Sequence, residues 1–275
     1  MDGAAERPTE EPERGEYFVQ SVERALAVIK TFSADRPELT LSEIARHTGM
    51  TRAAARRFVL TLADLGYLGV VDRRFYLRPT VLELGHTYLS VLTLPQAATP
   101  HLTELSEQLN ETTSLAVLDG DEIVYVARIG TRRVIASQLT VGTRLPAYLT
   151  SHGRIQLAHL PDDRLEDYLS RVRLEPRTAQ TVTDPELLRR RLLKARAQGW
   201  CVVDQELEEG VTSIAVPVRN GAGQVVASVN VGTHSRRLPA AELRRVALEP
   251  LKETARRIEE DIAPLDTHAT AHSRI

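Results

Sequence analysis

Three arginines pose the first chemical question. Arg52, Arg56 and Arg57 fall in the stretch Thr51-Arg52-Ala53-Ala54-Ala55-Arg56-Arg57-Phe58-Val59-Leu60-Thr61-Leu62, which runs on to Leu65 and Gly66. Wound as a helix at about 100° per residue, it gathers Ala55, Phe58, Val59, Leu62 and Leu65 on one side and spreads Arg52, Ala53, Arg56 and Arg57 over the other. A guanidinium pairs bidentately with guanine or clamps a phosphate, and the free amides of a helix start attract phosphate as well. Arg73 and Arg74 lie a few residues downstream, between two short apolar runs. The competing reading of the same residues is a small helical bundle with a solvated basic face.

Other chemistries find little support. His101, His152, His159 and His234 give no helical i, i+4 pair among themselves, and the single cysteine, Cys201, excludes both a Cys-rich metal module and an internal disulfide. Ser151 and His152 are adjacent, so their side chains generally point apart, and no spacing supplies a third triad member. Gly221-Ala222-Gly223 lies between two apolar runs that read as strands, whereas a nucleotide loop should lead into a helix. No cofactor or metal is expected. A small-molecule hydrolase or binding enzyme with an accessory helical module is the alternative function carried forward.

The arginines need elements to aim them. Val22, Ala25, Leu26, Ile29 and Phe32 recur at helical steps, predicting an opening amphipathic helix. Thr40-Leu41-Ser42-Glu43 is a capping box for a second helix that stops at Gly49, and Thr51 opens the arginine-bearing third. Residues 69–77 then read as a hairpin turning at Asp72 to Arg74. Helix, glycine turn, cationic helix and basic hairpin form, in that order, a winged helix-turn-helix. The candidate DNA contacts are Thr40, Ser42, Thr51, Arg52, Ala53, Arg56, Arg57, Arg73 and Arg74.

A further helical pattern runs from Pro79 and stops before Pro95. Beyond it the periodicity predicts helices over 100–111, 153–160, 162–171, 184–198 (opened by the capping box Thr183-Asp184-Pro185-Glu186) and 240–262. Strands are predicted over 114–118, 123–129, 134–139, 201–203, 213–218 and 225–231.

The 275 residues, 42% hydrophobic and 26% charged with a net charge of -2, suit a globular protein of one large or two unequal domains. The charge is unevenly spread: 17–94 carries ten basic and seven acidic residues, while 1–16 is acidic and contains Pro8 and Pro12. That acidic start is the reverse of a signal peptide, and no apolar run approaches the ~18 residues of a membrane span. A cytoplasmic protein without a membrane partner is expected.

From Phe18 to about Ile262 the chain resembles the isocitrate lyase regulator (IclR) family of bacterial transcription factors. The segments that carry the likeness are Gln20-Ser21-Val22-Glu23-Arg24-Ala25-Leu26-Ala27-Val28-Ile29, Leu41-Ser42-Glu43-Ile44-Ala45, the arginine helix, and Gly142-Thr143-Arg144-Leu145-Pro146-Ala147-Tyr148. The last three are similar to the subgroup controlling breakdown of protocatechuate, hydroxybenzoate and related aromatic acids. The resemblance implies an α+β protein, in which a winged helix-turn-helix is joined by a linker helix to an α/β, GAF-like effector-binding domain with an antiparallel sheet.

The resemblance also implies a pocket bordered by Arg144, Thr150, Ser151, His152, Gly153 and Arg154 and lined by Asp204, Val211, Ser213 and Asn230. Gln205 stands where many relatives carry an acid. Read from the residues alone, Thr150 or Ser151 equally serves as a helix cap, and Asp204 and Asn230 as strand-end hydrogen-bonding groups.

The expected organisation is a disordered acidic tail over 1–16, the DNA-binding domain over 17–79, a linker helix over 80–94, the effector-binding domain over 95–264 and a disordered tail over 265–275. The expected partners are double-stranded operator DNA, a small carboxylate effector and a second copy of the chain, as a homodimer or dimer of dimers.

Overall fold

A computed structural model describes residues 15, 17–84, 93–130 and 139–263. The two tails, most of the expected linker helix and nearly all of the expected strand 134–139 lie outside the described residues. The chain divides between residues 88 and 89 into two compact units.

In the first unit, α1 (Gln20–Lys30) is followed by β1 (Glu38–Thr40), α2 (Leu41–Thr48), α3 (Arg52–Asp64), β2 (Leu68–Val71) and β3 (Arg74–Leu77). Val28, Leu39, Ile44, Val59, Leu62 and Leu68 close a small core among the three helices and the sheet. The capping box forms as expected: Glu43 N donates to Thr40 Oγ1 at 3.3 Å, and Thr40 N donates to Glu43 Oε2 at 2.8 Å. Gly49 ends α2 at φ 66°, a left-handed conformation that glycine takes without Cβ strain.

Two details differ from the expectation. A third strand, β1, joins the hairpin on its β3 side, giving the antiparallel order β1-β3-β2. Three residues leading into a cap are too few to show a period. The hairpin turn is also tighter, with only Asp72 (φ 49°) and Arg73 (φ 63°) between the paired residues Val71 and Arg74. Positive φ at both central residues is the turn whose twist matches the strands, so Arg74 is drawn into β3.

The second unit opens with α4 (Thr93–Leu109). The break expected before Pro95 is absent. Pro95 sits in the first turn, where a missing N–H costs nothing, and the helix continues through Pro100 with Leu94, Ala98, Leu102 and Leu105 buried on one face. Then come β4 (Thr112–Asp119), β5 (Glu122–Ile129), β6 (Arg144–Pro146), α5 (Ser151–Leu157), α6 (Asp162–Arg171), α7 (Pro185–Gln198), β7 (Cys201–Asp204), β8 (Val211–Arg219), β9 (Val225–His234) and α8 (Ala240–Ile262). Asp184, rather than Thr183, caps α7, its carboxylate accepting from Glu186 N.

The six strands pair antiparallel in the order β6-β5-β4-β9-β8-β7. Helices cover both faces. One core, including Leu102, Leu115, Val229 and Leu251, lies between the sheet and α4 with α8; the other, including Ile123, Ile155, Leu188 and Ala215, lies under α5, α6 and α7. With both faces covered, β4, β8 and β9 carry near-continuous buried runs rather than alternation.

Candidate nucleic-acid interface and effector site

Helix α3 is fixed by its apolar face: Ala55, Val59 and Leu62 are buried, and Thr51 caps the start by accepting from Ala54 N at 3.2 Å. Its opposite face carries Arg52, Ala53, Arg56 and Arg57, all exposed. None of these three guanidinium groups has a hydrogen-bond or ion-pair partner among the described residues. Outward cations near the N-terminus of a capped helix match what reading a major groove requires.

The other candidate contacts divide. Ser42 is exposed at the start of α2, and Arg73 is exposed at the hairpin tip. Thr40 spends its hydroxyl on the capping box, and Arg74 reaches across to the Glu38 carbonyl at 3.4 Å. Those two therefore build the element before they can touch a ligand.

In the second unit, α5 is buried along all seven residues. Thr150 caps it, accepting from Gly153 N at 2.9 Å. Gly153 is there for space, because a Cβ would lie 2.1 Å from the Ala147 carbonyl oxygen. The resemblance puts Arg144 and Arg154 at the border of a pocket for a small carboxylate, and the structure gives both a partner within the protein. Arg144 is an exposed strand residue whose guanidinium is held by Glu122 and Asp119, both at 2.7 Å. Arg154 is buried and forked onto Glu206, with Nη1 2.7 Å from Oε1, while its Nε donates to the Tyr148 carbonyl. Each cation already has its carboxylate, so neither is a free anion receptor.

What the fold does bring together is a buried polar cluster. Ser151 Oγ donates to Ser213 Oγ at 2.8 Å and lies 3.5 Å from Asn230 Nδ2; Asn230 Oδ1 accepts from Ser114 Oγ at 2.6 Å. Ser114 Oγ is 3.0 Å from His152 Nε2, and His152 Nδ1 is 2.7 Å from Ser228 Oγ; Ser228 Oγ accepts from Gln156 Nε2 at 2.9 Å. Tyr125 meets the imidazole edge-on, with ring centroids 5.4 Å apart. Thus α5 supplies Ser151, His152 and Gln156, three adjacent strands, β4, β9 and β8, supply the other hydrogen-bonding side chains, and β5 supplies Tyr125.

Burial drives the His152 pKa down to about 3, so the ring is neutral near pH 7. A serine hydroxyl within reach of a histidine has the form of a nucleophile and base. Here, however, His152 and Ser228 are fully buried, Ser114 is 2% exposed, and no carboxylate among the described residues orients the ring. Cys201 is likewise buried, its thiol pushed up to about 11 by desolvation, which opposes formation of a reactive thiolate.

Asp204 and Val211, expected with Ser213 and Asn230, lie half-buried on the paired strands β7 and β8, where Asp204 accepts from Thr212 Oγ1 at 2.5 Å. Reading the sequence missed Ser114, Gln156, Ser228 and Glu206. Ser228 interrupts the apolar buried run of β9, which is a legible signal; Ser114 follows Thr112 and Thr113 and does not stand out, and nothing along the chain links Glu206 to Arg154. Among the described residues no cluster of His, Cys, Asp and Glu could hold a metal, and no helix is long and apolar enough to cross a membrane.

Comparison with known proteins agrees with this geometry. Residues 21–71 match the model of the IclR helix-turn-helix domain, and residues 86–260 match that of the bacterial transcriptional regulator IclR C-terminal domain. The chain is 48% identical over 227 residues to the Pca regulon regulatory protein of Pseudomonas putida, covering 82% of this chain and 78% of that one. It is 34% identical to the p-hydroxybenzoate hydroxylase transcriptional activator of Acinetobacter baylyi, covering 88% and 91% respectively. An IclR homologue from Microbacterium hydrocarbonoxydans, crystallised with 4-hydroxybenzoate, superposes with a TM-score of 0.79 at 31% identity, covering 88% of this chain and 98% of that one. These relatives lend nothing to the hydrolase alternative. A helix-turn-helix unit with unpaired cations, an antiparallel effector unit and matches to both halves lead to one conclusion: the chain belongs to the IclR family of bacterial transcriptional regulators.

Proposed function

We propose that the protein is an aromatic-acid-responsive regulator that binds operator DNA through Thr51, Arg52, Ala53, Arg56, Arg57 and Arg73, with Ser42 on the flanking backbone. The observation that carries the DNA half is the set of three exposed guanidinium groups, without a partner among the described residues, on the face of α3 away from its core. Thr40 caps α2 and Arg74 ties β3 to β1, so both build the unit that presents this surface.

The effector is a benzoate-type carboxylate such as protocatechuate or 4-hydroxybenzoate. Ser151, Ser213, Asn230, Asp204 and Val211 meet it, and His152, Gly153, Thr150 and Arg154 hold that surface in place. The relatives that regulate hydroxybenzoate genes or bind 4-hydroxybenzoate support this class. The protein acts in the cytoplasm as a homodimer or dimer of dimers, because one three-helix reader covers too short a half-site for high specificity.

The test is gel retardation with DNA flanking the protein's own gene, with and without protocatechuate or 4-hydroxybenzoate. We expect a specific shift whose affinity falls by orders of magnitude between about 50 and 200 mM salt, as for a protein making 6–10 phosphate contacts. Either ligand should change it. No shift at low salt removes the DNA reading; a shift indifferent to both acids removes the effector reading alone.

A further inference from the structure

The buried polar cluster is a hydrogen-bonded chain whose donor and acceptor roles can be worked out from one fixed end. Leu118 N, a backbone donor, lies 2.8 Å from Gln156 Oε1. That fixes the Gln156 amide, so its Nε2 donates to Ser228 Oγ at 2.9 Å and to the Ala116 carbonyl at 3.2 Å. Having accepted from Gln156, Ser228 has one proton to give, and the nearer acceptor is His152 Nδ1 at 2.7 Å, against the His152 carbonyl at 3.4 Å. The neutral ring then carries its hydrogen on Nε2 and donates to Ser114 Oγ at 3.0 Å. Ser114 passes its proton to Asn230 Oδ1 at 2.6 Å, Asn230 Nδ2 faces Ser151 Oγ, and Ser151 donates to Ser213 Oγ at 2.8 Å.

The opposite polarity is inconsistent with the distances. It would place an amide N–H of Asn230 2.6 Å from Ser114 Oγ, shorter than N–H···O bonds run, and would leave Ser228 donating over 3.4 Å. The last hydroxyl, on half-buried Ser213, has accepted from Ser151 and has no acceptor for its own proton among the described residues.

We propose that the chain from Gln156 through Ser228, His152, Ser114, Asn230 and Ser151 is a one-way relay that holds Ser213 as a hydrogen-bond donor, so that the effector domain selects a ligand presenting an acceptor there. His152 and Gln156 are positioning residues that set this polarity from within the core. Full burial, which keeps the imidazole neutral, keeps the relay intact across the physiological range. Only the final step, contact between Ser213 and a ligand carboxylate, rests on the effector reading given above.

The experiment uses the full-length protein. Histidine-selective nitrogen-15 labelling, with the His152 signals assigned by their loss in His152→Gln, reports which ring nitrogen is protonated. We expect the neutral tautomer protonated on Nε2, unchanged between about pH 5 and 8. An Nδ1-protonated ring or an imidazolium overturns the relay, whatever the ligand. In parallel, calorimetric titration with 4-hydroxybenzoate compares wild type, Ser213→Ala and Ser213→Thr.

Losing a hydrogen bond to a charged group should weaken binding at least about tenfold in Ser213→Ala, while Ser213→Thr, which keeps the hydroxyl, stays near wild type. Unchanged affinity in Ser213→Ala overturns the assignment of Ser213 as the donor. If 4-hydroxybenzoate, protocatechuate and benzoate all fail to bind wild type, the effector reading falls, and the tautomer measurement still decides the relay.

Discussion

A charge taken out of water costs several kcal/mol unless its partner is buried with it, and Arg154 and Glu206 go under together. Glu206 also accepts from Arg191 and from Val182 N, so one carboxylate ties α5, α7 and the β7–β8 connection. Glu206→Gln strands the Arg154 cation, and we expect a loss of about 3–5 kcal/mol in denaturant unfolding; the double variant Arg154→Met/Glu206→Leu should recover most of it. His152 makes a second prediction. Unfolded, it takes up a proton as pH falls through about 6.5; folded, it stays neutral down to about 3. Its contribution is therefore fully present above that upper value and lost as pH falls towards the lower one. The ring facing it, Tyr125, has a pKa raised to about 12 and stays neutral throughout. His152→Gln should flatten this part of the stability curve measured by thermal unfolding from about pH 7 to 4.

Each element's position follows from which of its faces is apolar. Helix α3 holds Ala55, Val59 and Leu62 against the core, so Arg56 has nowhere to lie but outside. Arg56→Ala should weaken operator binding and reduce the slope of log affinity against log salt by about 1 per subunit, without changing effector affinity in calorimetry. If both affinities fell together, the separation of roles between the units would be wrong. Helix α2 depends on its cap instead: Thr40→Ala removes the acceptor for Glu43 N and should cost about 1 kcal/mol in unfolding of the N-terminal unit. The helices and capping boxes around Thr40 and Thr51 were legible because capping residues and a 3.6-residue period are local signals. Strand β1 and the passage of α4 through Pro95 and Pro100 were not, because a three-residue strand shows no period, and a proline rule yields when Leu94, Ala98, Leu102 and Leu105 are all buried.

For the whole molecule, the apolar surface left open matters most. Val19 is 58% exposed, Val22 56% and Leu26 44%, on the side of α1 away from Val28, which packs on the core together with Ile29. Exposed apolar side chains clustered on a helix of this kind mark an interaction surface, which fits pairing of two DNA-reading units. The variant Val22→Glu/Leu26→Glu should shift sedimentation toward smaller species and weaken binding to a palindromic operator more than to a half-site; an unchanged assembly state would place the pairing surface elsewhere. The sequence by itself settled the helices and caps of the N-terminal unit, the outward face of α3 and the family, since helical period, caps and turn residues act between neighbours a few positions apart. The tertiary structure alone decided that Arg144 and Arg154 are already neutralised, and that Ser114, His152, Gln156, Ser228 and Asn230 form one hydrogen-bonded chain. These contacts join residues 22 to 116 positions apart, several of them through strand pairing in an antiparallel sheet, and no local pattern encodes such pairing before the sheet has closed.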